Sequence, residues 1–406
     1  MRGARTSRTH PLQIAEVSAG PGLGRIGITF CPGKHDPVAS TGAWARDLDA
    51  DLDAIAGWGA RLVLSLVENA ELVALKVPDL GASVRARGML WRHLPIRDYS
   101  VPDDFFERQW ATTGPEIRAI LRQGGDVLVH CKGGLGRAGM IAGRLLAELG
   151  MAPQEAIRAA RHARPGAIET PAQLALVRRT EPADDRVLDL AALERTGGRL
   201  GSNPGGVYRD AEGRRFYVKE LESPAHARNE RIAAALYRLA GAPTLIYRPT
   251  ADPCQVATEF VTLEKAHAAQ FSEDERRFAQ RWLGVHAWTA NWDAAGFDGD
   301  NQGVVGGQVL TLDVGGALEF RACGDPKGRA FGAEVAELDR LRDDPDNPHA
   351  VRLFGDIAPA ALAEAVGLVT GLPDEAIRGT IEGLGGSARL TEKMIARKAD
   401  LAARPG

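Results

Sequence analysis

A cysteine and an arginine bracket a run rich in glycine in His130-Cys131-Lys132-Gly133-Gly134-Leu135-Gly136-Arg137-Ala138-Gly139. The apolar run Asp126-Val-Leu-Val-His130 before it reads as a buried strand. The residues from Ala138 to Gly150 read as a helix that stops at a glycine. A strand, a glycine loop and a helix N-terminus make an oxyanion cradle, because free backbone N–H groups and the positive end of the helix dipole converge on one point. Those dipoles, with Arg137 nearby, favour thiolate over thiol at Cys131. The chemistry implied is binding of a phosphate and attack on its phosphorus by sulfur. Lys132, Gly133, Gly134, Leu135 and Gly136 form the phosphate-binding loop.

The arrangement resembles the protein tyrosine and dual-specificity phosphatase superfamily, marked by His-Cys, five residues and then Arg. The resemblance implies Cys131 as the nucleophile of a phosphocysteine intermediate and Arg137 as a bidentate clamp, whose planar fork matches two phosphate oxygens. Ala138 departs from it, since most members carry a hydroxyl there that assists thiolate departure. The leaving oxygen also needs an acid. In kinase-associated phosphatases a Pro-Ile-x-Asp segment about thirty residues before the cysteine supplies one, and Leu94-Pro-Ile-Arg-Asp98 matches it. Asp103 is the rival, and it could instead cap the following helix. Resemblance continues from Thr29-Phe-Cys-Pro-Gly-Lys34 through Asp47 to Arg164-Pro-Gly-Ala-Ile-Glu-Thr170. Glu169 stands where relatives often have a water-positioning Gln, and it either does that job differently or is structural. The likeness spans roughly the first 180 residues and implies no cofactor.

A second constellation lies downstream. Gly201-Ser202-Asn-Pro-Gly205-Gly206 reads as a glycine loop, followed by a strand ending at Lys219 and a helix carrying Glu230. That order is the one found in the ATP-binding lobe of protein-kinase-like folds, where the lysine holds phosphates and the glutamate orients it. Further on, Asn291-Trp-Asp293 and Asp300-Asn301 precede an apolar strand, Val309-Leu-Thr-Leu, that leads into Asp313. The set resembles atypical kinase-like families typified by HipA toxin kinases and bacterial effector kinases. By that resemblance Gly201, Ser202, Gly205, Gly206, Lys219 and Glu230 bind nucleotide, Asp293 is the base, and Asn301 and Asp313 hold magnesium. ATP and Mg2+ are the implied cofactors. The glycine loop is not Gly-x-Gly-x-x-Gly, Asp293 to Asn301 exceeds the usual spacing, and Val follows Asp313. An acidic glycine-rich loop that binds calcium or nothing, a pseudokinase module that only binds, and a transferase of AMP all stay open.

Elements must position these residues. Trp44, Leu48, Leu52, Ile55 and Trp58 recur at helical spacing over Thr41–Trp58, with Gly59 as a stop. Arg61–Val67 reads as a strand. Helices are expected near Asp104–Gln123, at Pro153–Ala163 and at Pro171–Arg179. Strands alternating with helices around one glycine loop imply a mainly parallel sheet. The polar, proline-punctuated stretch Thr180–Arg186 reads as a linker. Residues Asp356–Ala402 read as short helices completing a helical lobe. The expected fold is thus an α/β cysteine-phosphatase domain at 10–180, with a mainly parallel sheet flanked by helices. A linker at 181–195 leads to an α+β bilobal protein-kinase-like domain at 196–406.

The length of 406 residues calls for more than one domain. A net charge of −3 gives no global field to recruit nucleic acid or an anionic membrane. No apolar run has bilayer length, and the segment Met1–Arg8 lacks a signal peptide's apolar core. Cys31, Cys131, Cys254 and Cys323 are too scattered for a disulfide framework or a zinc site, and a thiolate nucleophile must stay reduced, so the expected compartment is the cytoplasm. Only eight of the fifty basic residues are lysine, so a lysine at a motif position carries weight. The expected partners are a phosphorylated protein or small phosphoester, and a nucleotide, with neither nucleic acid nor membrane.

Overall fold

In a computed structural model of the chain, residues 4–39 and 41–404 are described. Met1, Arg2 and Gly3 of the segment Met1–Arg8 read above, and the last two residues of the expected second domain, lie outside them. The chain divides into two compact units, Met1–Asp185 and Arg186–Gly406.

The first unit opens with strands β1 (Ala15–Ser18), β2 (Arg25–Phe30), β3 (His35–Asp36) and β4 (Trp44–Ala45). Next come α1 (Leu48–Trp58), β5 (Ala60–Ser65), α2 (Asn69–Ala74), α3 (Leu80–Arg85) and β6 (Leu90–His93). Helix α4 (Asp104–Arg122), β7 (Asp126–Cys131), α5 (Gly136–Glu148), α6 (Pro153–Ala163) and α7 (Pro171–Arg179) complete it. The main sheet has the order β1-β2-β7-β5-β6. Only the edge strand β1 is antiparallel, and β2, β7, β5 and β6 run parallel.

Alternation along the strands divides the core between the two faces. Ile26, Ile28, Leu64, Val127 and Val129 join the apolar sides of α4 to α7, whereas Val63 and Leu128 join Leu52 and Ile55 of α1 and Leu80 of α3. Each such fully buried side chain contributes about 1.5–3 kcal/mol relative to exposure. A parallel sheet covered on both faces leaves its strand ends as the place for a site, and β7 ends on Cys131.

Helix α1 starts at Leu48 and not at Thr41. Trp44–Ala45 pair with His35–Asp36, and the Asp47 carboxylate caps the helix by accepting from the Ala50 N–H at 2.9 Å. A non-local strand pairing outweighs the helical spacing of Trp44. Strand β5 likewise ends at Ser65, two residues short of the expected Val67. The segment 181–195 is not a free linker. Asp185 accepts from Arg118 at 2.6 Å and from Arg122 at 2.7 Å within the first unit, while Leu188 N–H donates to Pro249 O and Glu194 begins a strand within the second.

The second unit is a sheet-and-helix assembly. Strands β8 (Glu194–Gly197), β9 (Gly205–Arg209) and β10 (Arg215–Glu220) precede α8 (Pro224–Ala240), β11 (Tyr247–Pro249) and β12 (Gln255–Glu259). They form an antiparallel sheet of order β11-β12-β10-β9-β8. Ser223 caps the start of α8 by accepting from His226 N–H, and Gly241, in the left-handed conformation, closes its end. Helices α9 (Glu273–Gln280) and α10 (Leu283–Trp288) lead to the hairpin β13 (Gln302–Val305) and β14 (Gln308–Thr311). Five helices follow: α11 (Glu337–Asp343), α12 (Pro348–Phe354), α13 (Pro359–Thr370), α14 (Asp374–Gly383) and α15 (Ala388–Ala403). Among the described residues no single helix is long and apolar enough to cross a membrane.

Candidate active sites

Cys131 is the last residue of β7, and the loop after it turns back into α5 at Gly136. The loop's peptide planes share one sense. Lys132 O accepts from Cys31 N–H and the Lys34 ammonium, Gly133 O and Gly134 O accept from Arg164, and Leu135 O accepts from Ile168 N–H. In a trans peptide the N–H opposes the C=O. With four consecutive carbonyls turned to outer donors, the N–H groups of residues 133–136 face the loop's interior. One of them, Gly134 N–H, donates to Cys131 Sγ at 3.2 Å. Gly134 must be glycine twice over. Its φ is +70°, and a Cβ there would lie 2.4 Å from the carbonyl carbon of Thr29. A Cβ on Gly136 would meet Glu169 Oε2 at 2.3 Å, so the Glu169 carboxylate stands against the helix start, beside the buried Gln173.

Arg137 is 2% exposed and its donors are almost fully used. Nη1 donates to Glu71 Oε2 at 2.6 Å and to Ile96 O at 2.9 Å; Nη2 donates to Glu71 Oε1 at 2.9 Å and pairs with Asp98 Oδ1 at 3.0 Å. Burial opposes its charge, but the Glu71 carboxylate outweighs that and holds the guanidinium still more firmly protonated. Reciprocally, burial pushes the Glu71 carboxyl up while Arg137 pulls it further down, to a net position below the ordinary range. Nη1 and one side of Nη2 are hydrogen-bonded and Asp98 ion-pairs with Nη2, so a side-on clamp through Nε and Nη2 would use the position that Asp98 occupies. Asp103 instead caps α4, accepting from Phe106 N–H at 2.8 Å.

His130 is fully buried and shares a 2.6 Å hydrogen bond with Ser65 Oγ; burial pushes it down to about 3, so it is neutral. Cys31 is fully buried, and that burial keeps its thiol protonated. All four cysteines are free. Glu71 escaped the sequence reading, because a glutamate in the first turn of a short helix carries no sign of its partner 66 residues on.

In the second unit, Lys219 on β10 lies between two carboxylates. Its ammonium donates to Glu230 Oε1 on α8 at 2.7 Å and to Asp313 Oδ2 beyond β14 at 2.8 Å. Burial alone would lower the Lys219 pKa, yet Asp313 and Glu230 raise it well above its ordinary value. Glu230 is fully buried; Tyr247 also donates to its Oε1, and its Oε2 has no partner. The β13–β14 hairpin pairs Gln302 with Thr311, and Leu312 N–H donates to Asn301 O, which brings Asn301 alongside the strand that leads to Asp313. Asn301 Nδ2 donates to Asp293 O at 2.7 Å and to its carboxylate at 3.1 Å. Burial, then the neighbouring Asp313, pushes the Asp293 carboxyl up to about 6.

A cavity of about 830 Å³ opens onto Asp293 and is lined also by Ser202, Trp292 and Lys327. Of the nucleotide-loop residues expected from sequence, Ser202 lines it and Gly201, Gly205 and Gly206 do not. Close strand pairing accounts for Gly205, where a Cβ would lie 2.2 Å from Val218 O. Among the described residues no group of three or more His, Cys, Asp or Glu side chains gathers as a metal site. Lys327, absent from the sequence reading, donates to Ala290 O at 2.6 Å and Gly316 O at 2.7 Å, and burial pushes it down to about 7.

Residues 40–177 match the family described as "Swiss Army Knife protein, DSP-PTPase phosphatase domain". Cyclin-dependent kinase inhibitor 3 of Rattus norvegicus is 32% identical over 162 residues, which are 39% of this chain and 71% of that protein. A kinase-associated phosphatase solved with its catalytic-site cysteine replaced by serine is 25% identical, covering 41% of this chain and 92% of that one, with a TM-score of 0.36. The Helicobacter pylori proinflammatory kinase CtkA is 11% identical, covering 54% of this chain and all of that one, with a TM-score of 0.30.

Proposed function

We propose, for a chain that belongs through its first unit to the dual-specificity (DSP-type) cysteine phosphatases, a pair of opposed activities. The first unit hydrolyses a phosphomonoester, on a phosphorylated protein or a small phosphoester, through a phosphocysteine on Cys131. The second transfers a phosphoryl group from magnesium-bound ATP.

The observation that carries the first half is the Asp98 carboxylate resting on Arg137 Nη2 beside the inward-facing loop N–H groups. A phosphate seated in the loop takes that Nη2 and the free Nε, and Asp98 is released toward the leaving oxygen. Once off the guanidinium, Asp98 takes up a proton from solvent; Cys131 Sγ then forms the S–P bond, the ester P–O bond breaks, and Asp98 gives that proton to the departing alcohol. Water attacks the phosphocysteine, Asp98 as carboxylate takes the water's proton, and the thiolate leaves. Cys131→Ser in the full chain should abolish turnover while inorganic phosphate still binds, since the serine hydroxyl is too weakly acidic to replace the thiolate. Turnover at the normal rate by that variant would end the assignment.

The second half rests on the Glu230–Lys219–Asp313 junction beside the Asp293 cavity. The donor set suits magnesium, which takes one or two protein oxygens and completes its shell with phosphate and water. Asn301 and Asp313 would hold it, Lys219 would hold phosphate oxygens, Glu230 would orient Lys219, and Asp293 would accept the acceptor's proton. Bound magnesium neutralises charge on the phosphates. In the Cys131→Ser background, where the product is protected from the phosphatase, Asp313→Ala should abolish magnesium-dependent nucleotide binding. Asp293→Ala should leave binding and stop transfer. Binding without transfer in the parent chain would make the unit a binding module, and no binding would remove the kinase reading altogether.

A further inference from the structure

The cavity beside Asp293 is lined by a lysine that makes no direct contact with a carboxylate. Lys327 lies at the end of a short hairpin after Asp313, fixed by Lys327 N–H donating to Glu319 O and Arg321 N–H donating to Asp325 O, both at 2.8 Å. The hairpin is tied to α8, because Glu319 N–H donates to Asn229 Oδ1. From this base the Lys327 side chain turns into the cavity wall. Its ammonium donates to Ala290 O, three residues before Asp293, and to Gly316 O, three residues after Asp313. Gly316 is itself packed against Asp293, since a Cβ on it would lie 3.1 Å from Asp293 Cβ.

Two carbonyls use two of the three ammonium N–H bonds. Among the described residues no carboxylate stands within 4.0 Å of this nitrogen; Lys219, Lys265 and Lys398 of the same unit each pair with one, and Lys393, which like Lys327 has only a carbonyl partner, does not line this cavity. Asp293 and Glu337 act on this half-buried cation only at longer range and the Phe331 ring centroid lies 6.0 Å from it, so the third N–H has no close acceptor, and an anion placed in the cavity would complete its shell. The anion's class follows from the neighbours. Ser202 of the glycine loop and Asp293 line the same space.

We propose that Lys327 is a phosphoryl-binding residue of the second unit, its third N–H donating to an oxygen of the group being transferred past Asp293. The inference rests on the nucleotide-dependent reading of this unit and adds a residue to it. In that transfer the acceptor oxygen forms the new O–P bond, and the bond from the terminal phosphorus to the bridging oxygen breaks with its electron pair going to the departing diphosphate. The acceptor's proton goes to Asp293. Lys327, which an adjacent phosphoryl oxygen would hold protonated, offsets the negative charge on the phosphoryl oxygens. Lys219, held by Glu230 and Asp313, would then serve the other phosphates.

The test is calorimetric titration of the full-length Cys131→Ser chain with magnesium AMP-PNP and with magnesium ADP. A charge-assisted contact to the terminal phosphoryl alone predicts that Lys327→Met weakens AMP-PNP on the order of 10-fold to 100-fold while ADP stays within about threefold. Transfer from ATP should fall by at least the AMP-PNP factor, and Lys327→Arg should keep the preference for the triphosphate. If Lys327→Met weakens both ligands equally, or neither, while the parent chain binds them, Lys327 is only a backbone staple and the proposal fails with the kinase reading intact. A parent chain that binds no nucleotide overturns both. Should Lys327→Met lose ADP as well through misfolding, seen as loss of its cooperative thermal unfolding, Lys327→Gln decides: a collapsed AMP-PNP to ADP ratio supports the role, and an unchanged ratio refutes it.

Discussion

Replacing Glu71 by glutamine probes the arginine without touching it. Glu71 makes a bidentate pair with Arg137, at 2.6 and 2.9 Å, around a guanidinium that is 2% exposed. Breaking a buried ion pair by removing one partner costs about 3–5 kcal/mol. Here Ile96 O and Asp98 remain as partners at 2.9 and 3.0 Å, and glutamine keeps one carbonyl acceptor, which places the loss near 3 kcal/mol. With a urea slope of about 2 kcal/mol per molar for a unit of this size, the midpoint should fall by about 1.5 M. Residual hydrolysis of an aryl phosphate reports on the first unit alone and avoids the signal of the second. An arginine displaced by about 1 Å should also cost on the order of 100-fold in kcat/KM. The acid dependence gives a third readout. Because folded Glu71 is held below the ordinary glutamate range, its contribution is fully present above about pH 4.3 and is lost as pH falls through the depressed folded value. Glu71→Gln should lack that acid-side loss. Wild-type midpoint, kcat/KM and acid limb in the variant would together refute Glu71 as the holder of Arg137.

Asp98→Asn should slow an alkyl phosphate by about 10²–10⁴-fold and an activated aryl phosphate far less, steepening the dependence on leaving-group pKa; if Asp103→Asn does so instead, the helix cap and the acid have been exchanged. Gly134→Ala forces φ +70° on a residue with a side chain, costing about 1–2 kcal/mol, and drives Cβ into the Thr29–Phe30 backbone, so activity should drop with the loop displaced; full activity would mean that the loop tolerates another path. Lys219→Met leaves the Glu230 and Asp313 carboxylates facing each other without a cation and should destabilise the second unit by about 3–5 kcal/mol, part of which Lys219→Met/Glu230→Gln should recover. Additive losses measured by thermal unfolding would argue against a shared charge site.

What could be read from residue order alone was local. The stretch His130–Gly139 points to its proposed chemistry because cysteine, glycine loop and arginine are contiguous, and a strand followed by a glycine turn and a helix leaves few ways to arrange them. Asp103 could be read as the cap of α4 for the same reason, since the bond it makes spans three residues. The start of α1 could not be placed that way, because Trp44 belongs to a strand whose partner, Asp36, is set by the folded chain. Tertiary structure alone chose which generic carboxylates matter: Glu71 reaches Arg137 across 66 residues, and Asp313 reaches Lys219 across 94. It also turned four carbonyls of the loop after Cys131 outward onto Arg164, Lys34 and two backbone donors, and brought Lys327 to the carbonyls of Ala290 and Gly316. A glutamate, a lysine or a peptide group has no role until the fold supplies its neighbour, because charge and hydrogen-bond energies act over a few ångströms and sequence separation sets no limit on them.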